Sequence, residues 1–164
     1  MIFGLTTLTL VHVVLSLIGI FSGIVVACGL LTGKRLDGWT ALFLATTVAT
    51  SVTGFLFPFH KFLPSHAIGI VSLIALAIVI FARYLRQLAG AWRRTYAITA
   101  IIALYLNVFV LIAQAFMKVP ALKAMAPTQS EPPFLVAQLI CMAIFVVLGI
   151  FAAIKFRGES VHPA

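Results

Sequence analysis

Long apolar stretches alternate along this chain with short breaks that carry nearly all of its charge. Five stretches, near residues 8–31, 40–59, 66–84, 95–117 and 133–154, approach or exceed the roughly 20 helical residues needed to cross a bilayer. They are continuously apolar rather than alternating, which is the wrong pattern for barrel strands. Open strands are excluded because lipid offers their backbone no hydrogen-bond partners. The pattern predicts an all-α integral membrane protein, a single domain over residues 1–164 built as a bundle of five transmembrane helices. No break is long enough for a separate soluble domain.

Composition strengthens this reading. Of 164 residues, 63% are hydrophobic and 9% charged, whereas a soluble domain carries roughly a quarter charged residues. The net charge of +8 invites a nucleic-acid reading. The placement of the basic residues argues against one, since they gather at the ends of apolar stretches, where they meet anionic headgroups. The expected partners are the bilayer and a membrane protein or a second copy, with no nucleic acid.

Lys34, Arg35, Arg83, Arg86, Arg93, Arg94, Lys155 and Arg157 fall on one side of a five-crossing arrangement, against Lys61, Lys118 and Lys123 on the other. The positive-inside rule then puts the N-terminus outside and the C-terminus in the cytoplasm of a bacterial inner membrane. Trp39, Tyr84, Trp92 and Tyr96 fit an aromatic belt at the cytoplasmic boundary. Val25-Val26-Ala27-Cys28 looks like a lipoprotein cleavage box, but no Lys or Arg precedes it and the apolar run exceeds a signal core. The first segment is expected to remain as a helix. Cys28 and Cys141 both lie in apolar runs and read as small, buried, inert thiols.

Candidate chemistry concentrates at the outer end. His12, His60 and His66 fall at the same end of three successive segments, and an ionisable residue near membrane depth is a functional candidate. His12, Ser16, Gly19, Gly23 and Ala27 share a helical face, with Gly19 and Gly23 in GxxxG spacing for close helix approach. Thr46, Thr50, Thr53, Phe57 and His60 form a similar stripe on the second segment. Asn107, Gln114 and Gln138 lean the polar content of the bundle further toward this end. Glu131 sits in the outer loop 118–133, whose apolar residues Val119, Leu122 and Met125 suggest that it lies over the bundle mouth.

Neutral imidazole suits haem iron, copper and zinc. The sharpest expectation is therefore a haem b site with His12 and His66 as axial ligands and His60 as the alternative. A metal on the three histidines is a variant of that expectation. Gly19, Gly23 and Gly69 would make room for the macrocycle, while Gln114, Gln138 and Glu131 would hydrogen-bond around it. On this histidine placement, helices 1–3 distantly resemble haem b-binding membrane cytochromes, which implies electron transfer. The chain departs from the two-haem pattern of that group, because its fourth histidine, His162, lies in the tail. The whole chain also resembles small multi-pass membrane proteins of proteobacteria through Thr50–Gly69, including Phe57-Pro58-Phe59-His60-Lys61 and Pro64-Ser65-His66. That resemblance implies a membrane bundle and no particular activity.

Two other readings compete with a redox protein. In one, the chain is a non-catalytic membrane subunit whose histidines pack helices or meet a partner; in the other, it binds a quinone or lipid-like ligand. Phosphate loops, dinucleotide fingerprints and zinc-protease motifs are absent. Ser16 lies one turn from His12, but neither an oxyanion hole nor an orienting acid accompanies the pair. No Asp or Glu is expected inside a helix, which leaves no carboxylate proton relay.

Overall fold

The protein is described by a computed structural model covering residues 7–57 and 64–156. The predicted ligand His60 lies outside the described residues. Among the described residues six α-helices run in order: α1 (Thr7–Leu31), α2 (Asp37–Gly54), α3 (Pro64–Ile80), α4 (Trp92–Lys118), α5 (Pro120–Met125) and α6 (Pro132–Lys155). A π-helical turn, Phe81–Leu85, extends α3. Among the described residues there is no strand.

Among the described residues four helices are long and apolar enough to cross a membrane: Thr7–Leu31, Pro64–Leu85, Trp92–Lys118 and Pro132–Lys155. The expected fifth, α2, falls short of that standard. Its 18 residues include five threonines, Ser51 and Asp37, and they rise about 27 Å at 1.5 Å per residue. Much of its polarity is internal to the helix. The Thr46 and Thr53 hydroxyls donate to the carbonyls of Leu42 and Ala49, both at 2.7 Å, so they present little to the surroundings.

Local sequence accounts for the helix ends. At the end of α1, the Lys34 N–H donates to the Gly29 carbonyl at 2.8 Å and the Gly33 N–H to Leu30 at 3.3 Å. This Schellman closure needs a left-handed residue, and Gly33 supplies it with φ +74°. Asp37 opens α2, where a carboxylate meets the positive end of the helix dipole. This corrects the expectation that no acid lies in a helix. Pro120 begins α5, and Pro132 and Pro133 begin α6, at positions where a missing N–H costs nothing.

Contacts along their lengths make the helices antiparallel neighbours. From one end of the α1–α2 pair to the other, His12 meets Thr53, Gly19 faces Thr46 and Thr47, Gly23 faces Phe43 and Gly29 faces Leu36. α3 packs on α2, with Phe55 against His66 at one end and Ile80 and Tyr84 beside Ala41 at the other. α4 is the hub, touching α1, α3, α5 and α6. The main apolar core gathers Leu30, Phe43, Leu76, Val79, Tyr96 and Leu104.

α6 is the peripheral member: 11% of its most apolar window is buried, against 44% for α1. Cys141 is buried on α6 as expected, but Cys28 is exposed on α1, which corrects the expectation of two buried thiols. α5 buries none of its residues and packs on α4. Val119 and Met125 are exposed, while Ala126 is buried and the Gln129 Nε2 donates to the Ala113 carbonyl on α4 at 2.6 Å.

Candidate functional site

At the end carrying the histidines, His12 is half-buried and held by α2. Its Nδ1 lies 2.9 Å from the Thr53 Oγ1. The Thr53 hydroxyl proton is already directed to the Ala49 carbonyl, so Nδ1–H is the donor and the lone pair of the neutral ring sits on Nε2. Phe57 closes on the ring edge-to-face, with centroids 5.3 Å apart. His66 is 6% exposed on α3 and its ring lies tilted beside Phe55, with centroids 5.9 Å apart. The two described histidines therefore pack against the same terminal turns of α2, His12 on Thr53 and Phe57, His66 on Phe55.

The room expected for a macrocycle is occupied by protein. A Cβ on Gly23 would stand 2.6 Å from Leu104 Cδ1 and 2.9 Å from Phe43 Cε2, and both those residues are fully buried. Gly69 likewise faces Phe55. Gly19 admits a polar junction instead, facing Thr46, Thr47 and Asn107. There the Asn107 Nδ2 donates to the Thr47 Oγ1 at 3.2 Å, tying α4 to α2. A haem bridging His12 and His66 would also have to pass Thr53, Phe55 and Phe57. Among the described residues no three of His, Cys, Asp and Glu converge as a metal site.

The expected supporting residues have separate duties. Gln138 is buried, and its Nε2 donates to the Phe109 carbonyl at 3.2 Å, joining α6 to α4. Gln114 is half-buried on α4. Glu131 immediately precedes α6 and its carboxylate turns back to accept from the Thr128 hydroxyl at 2.8 Å and the Ser130 N–H at 3.1 Å. Its slight desolvation favours the neutral acid. The hydrogen bonds from Thr128 and Ser130 outweigh that and hold its carboxyl below the ordinary range.

A second polar centre, at the opposite end, was not expected. The π-helical turn aims Arg83 inward, leaving it 3% exposed. Its Nη2 pairs with Asp37 and its Nη1 donates to the Tyr96 hydroxyl at 3.1 Å. Tyr96 Oη is 3.3 Å from Thr40 Oγ1. Arg35 Nε approaches the same Asp37 carboxylate at 3.7 Å. The assembly ties the starts of α2 and α4 to the end of α3.

Arg83 is thus no headgroup residue, and the fully buried Tyr96 is no belt residue. Trp39 and Tyr84 are exposed at this end, as a belt requires, and Trp92 is half-buried with Arg86 over its ring. The available signal for the centre was small: Asp37 is one of only three acids, and it follows Arg35 closely.

No family model, curated protein or solved structure matches the chain.

Proposed function

We propose that the protein is a non-catalytic, multi-pass subunit of a bacterial inner membrane, whose histidine end serves helix packing and contact with a membrane partner. The observation that carries this reading is the use made of His12 and the glycines below it. The ring is hydrogen-bonded to Thr53 and packed on Phe57, while Gly19 and Gly23 bring α1 against α2 and α4.

The same reading includes five crossings, with the N-terminus outside and the C-terminus cytoplasmic. Its support is the α1–α2 pairing, because the segment Leu36–Thr53 accompanies α1 from Gly29 to the His12 level. The described basic residues add to it. Lys34, Arg35, Arg83, Arg86, Arg93, Arg94 and Lys155 gather at one end, against Lys118 and Lys123 at the other.

A second reading, a haem b or metal ligand set, has one observation in its favour. Donation from Nδ1–H to Thr53 leaves the His12 Nε2 lone pair as a ligating atom, the arrangement in which histidines commonly bind metals. His66 or His60 would be the other ligand. The visible spectrum of the detergent-purified protein, before and after haem reconstitution, separates the readings. Packing histidines give a colourless protein, and His12→Ala lowers thermal stability without any spectral change. A Soret band that shifts on reduction and disappears in His12→Ala would overturn the first reading in favour of the second.

A further inference from the structure

Thr50 differs from the threonines on either side of it along α2. Thr46 and Thr53 return their hydroxyl protons to carbonyls of their own helix. Thr50 is 8% exposed, and its enclosed Oγ1 has no hydrogen-bond partner among the described residues. Lipid offers such a group nothing to bond, and a buried hydroxyl left unpaired destabilises the fold that holds it.

The helices around Thr50 show which groups stand near it. On α2 it projects between Thr46 and Thr47, which face Gly19 of α1 and Asn107 of α4. Gly19 lies at the level of Thr46, and His12 at that of Thr53. Ser16, between them on the same face of α1, therefore comes to the level of Thr50. Gln114 repeats the Asn107 face of α4 two turns closer to the histidine end, where Lys118 acts electrostatically on the His12 ring. Ser16 and Gln114 are half-buried, and among the described residues neither the hydroxyl nor the amide makes a hydrogen bond. Three unused polar side chains thus converge on the α1–α2–α4 junction. Toward the other end, Phe43 and Leu104 fill the same junction at Gly23.

The chemistry of these groups identifies the occupant. The Ser16 and Thr50 hydroxyls donate, the Gln114 amide both donates and accepts, and the His12 Nε2 at the mouth accepts. None of them carries a negative charge to hold a cation, and an anion gains nothing from the acceptors. Water both donates and accepts, and a buried water needs about two to four polar partners.

We propose that the α1–α2–α4 junction is a site for ordered water, bonded to the Thr50 and Ser16 hydroxyls and the Gln114 amide, with the His12 Nε2 at its mouth. The site goes beyond the packing role of the histidine end and is independent of any membrane partner. It satisfies the polar face of α2 inside the bundle.

Water-edited solid-state NMR of the isotope-labelled full chain in lipid bilayers tests the proposal, because it times the passage of magnetisation from water to each side chain. The Thr50 and Ser16 signals are expected to build up severalfold faster than that of Ser22, which is fully buried and donates to the Ile18 carbonyl at 2.7 Å. In a Ser16→Ala/Gln114→Leu double variant the Thr50 signal is expected to slow to the Ser22 rate, whereas Arg94→Gln at the opposite end leaves it unchanged. Circular dichroism checks the helix content of both variants. Thr50→Val, which keeps the branched shape and removes the hydroxyl, is expected to lower the thermal midpoint by taking away one of the water's partners. In a dry junction the same change removes an unpaired hydroxyl and raises the midpoint.

A Thr50 signal as slow as that of Ser22 would overturn the proposal. So would wetting of Thr50 that survives the double change, or a Thr50→Val protein whose midpoint is unchanged or raised.

Discussion

Arg83 is 3% exposed, and a buried guanidinium keeps its charge because arginine does not deprotonate in proteins. Its partners must therefore meet the charge. Asp37 and the Tyr96 hydroxyl do so. The Asp37 carboxylate is 72% exposed, so its attraction is screened by solvent and the larger cost falls on the arginine it would abandon. Asp37→Asn is expected to lower unfolding stability by about 1–3 kcal/mol, read from thermal or denaturant unfolding in detergent. Lys34→Gln, in the same loop, should leave stability unchanged. Sequence position suggested an arginine facing the headgroups, as charges at a segment's end commonly do. The inward aim comes from the π-helical turn, which apolar periodicity does not encode. His12 was more legible: its spacing with Gly19 and Gly23 correctly turned it toward other helices, but spacing could not show that Thr53 would be its partner.

At the scale of elements, polar groups act as fasteners between helices. Asn107 joins α4 to α2 at the level where Gly19 lets α1 approach. Hydrogen bonds between membrane helices contribute modestly, so Asn107→Ala is expected to cost about 1 kcal/mol, measured by reversible unfolding in bicelles. The α5–α6 turn behaves differently because it titrates. The Glu131 carboxyl is lowered in the folded turn, so its contribution is present above the ordinary carboxylate range and is lost as pH falls through the lowered value. Relative to the intrinsic exchange rate at each pH, protection of the Thr128 and Ser130 amides should fall on acidification, and Glu131→Gln should abolish that dependence. Protection unchanged across the acid range would refute the assignment. Four apolar segments were legible to within a few residues because lipid demands long, continuous runs. α5 was not, since six residues with no buried member leave no periodic signal.

At the scale of the whole molecule, the antiparallel pairing places histidines and basic clusters at opposite ends of the bundle. The proposed topology makes this difference directional. Alkaline phosphatase fused after Ser130 should be active outside the cytoplasm, and the same fusion after Gly90 should be inactive. Active fusions at both positions would rule that topology out. Charge asymmetry made the two ends distinguishable in the sequence. The uses of the interior were not distinguishable, because a glycine that clears space for a cofactor and one that admits Leu104 and Phe43 look alike as letters.

The polarity of α2 has a consequence for how the chain is made. Five threonines and an aspartate make this helix a poor substrate for unaided partitioning into lipid. Its inner face is matched residue by residue to α1. In the proposed five-crossing topology, α1 emerges first during synthesis and would wait as a template, so that α2 leaves the insertion machinery already paired with it. Weakening the Gly23 contact would then strand α2 at the membrane surface in a fraction of newly made chains, exposing them to proteolysis before α3 has formed.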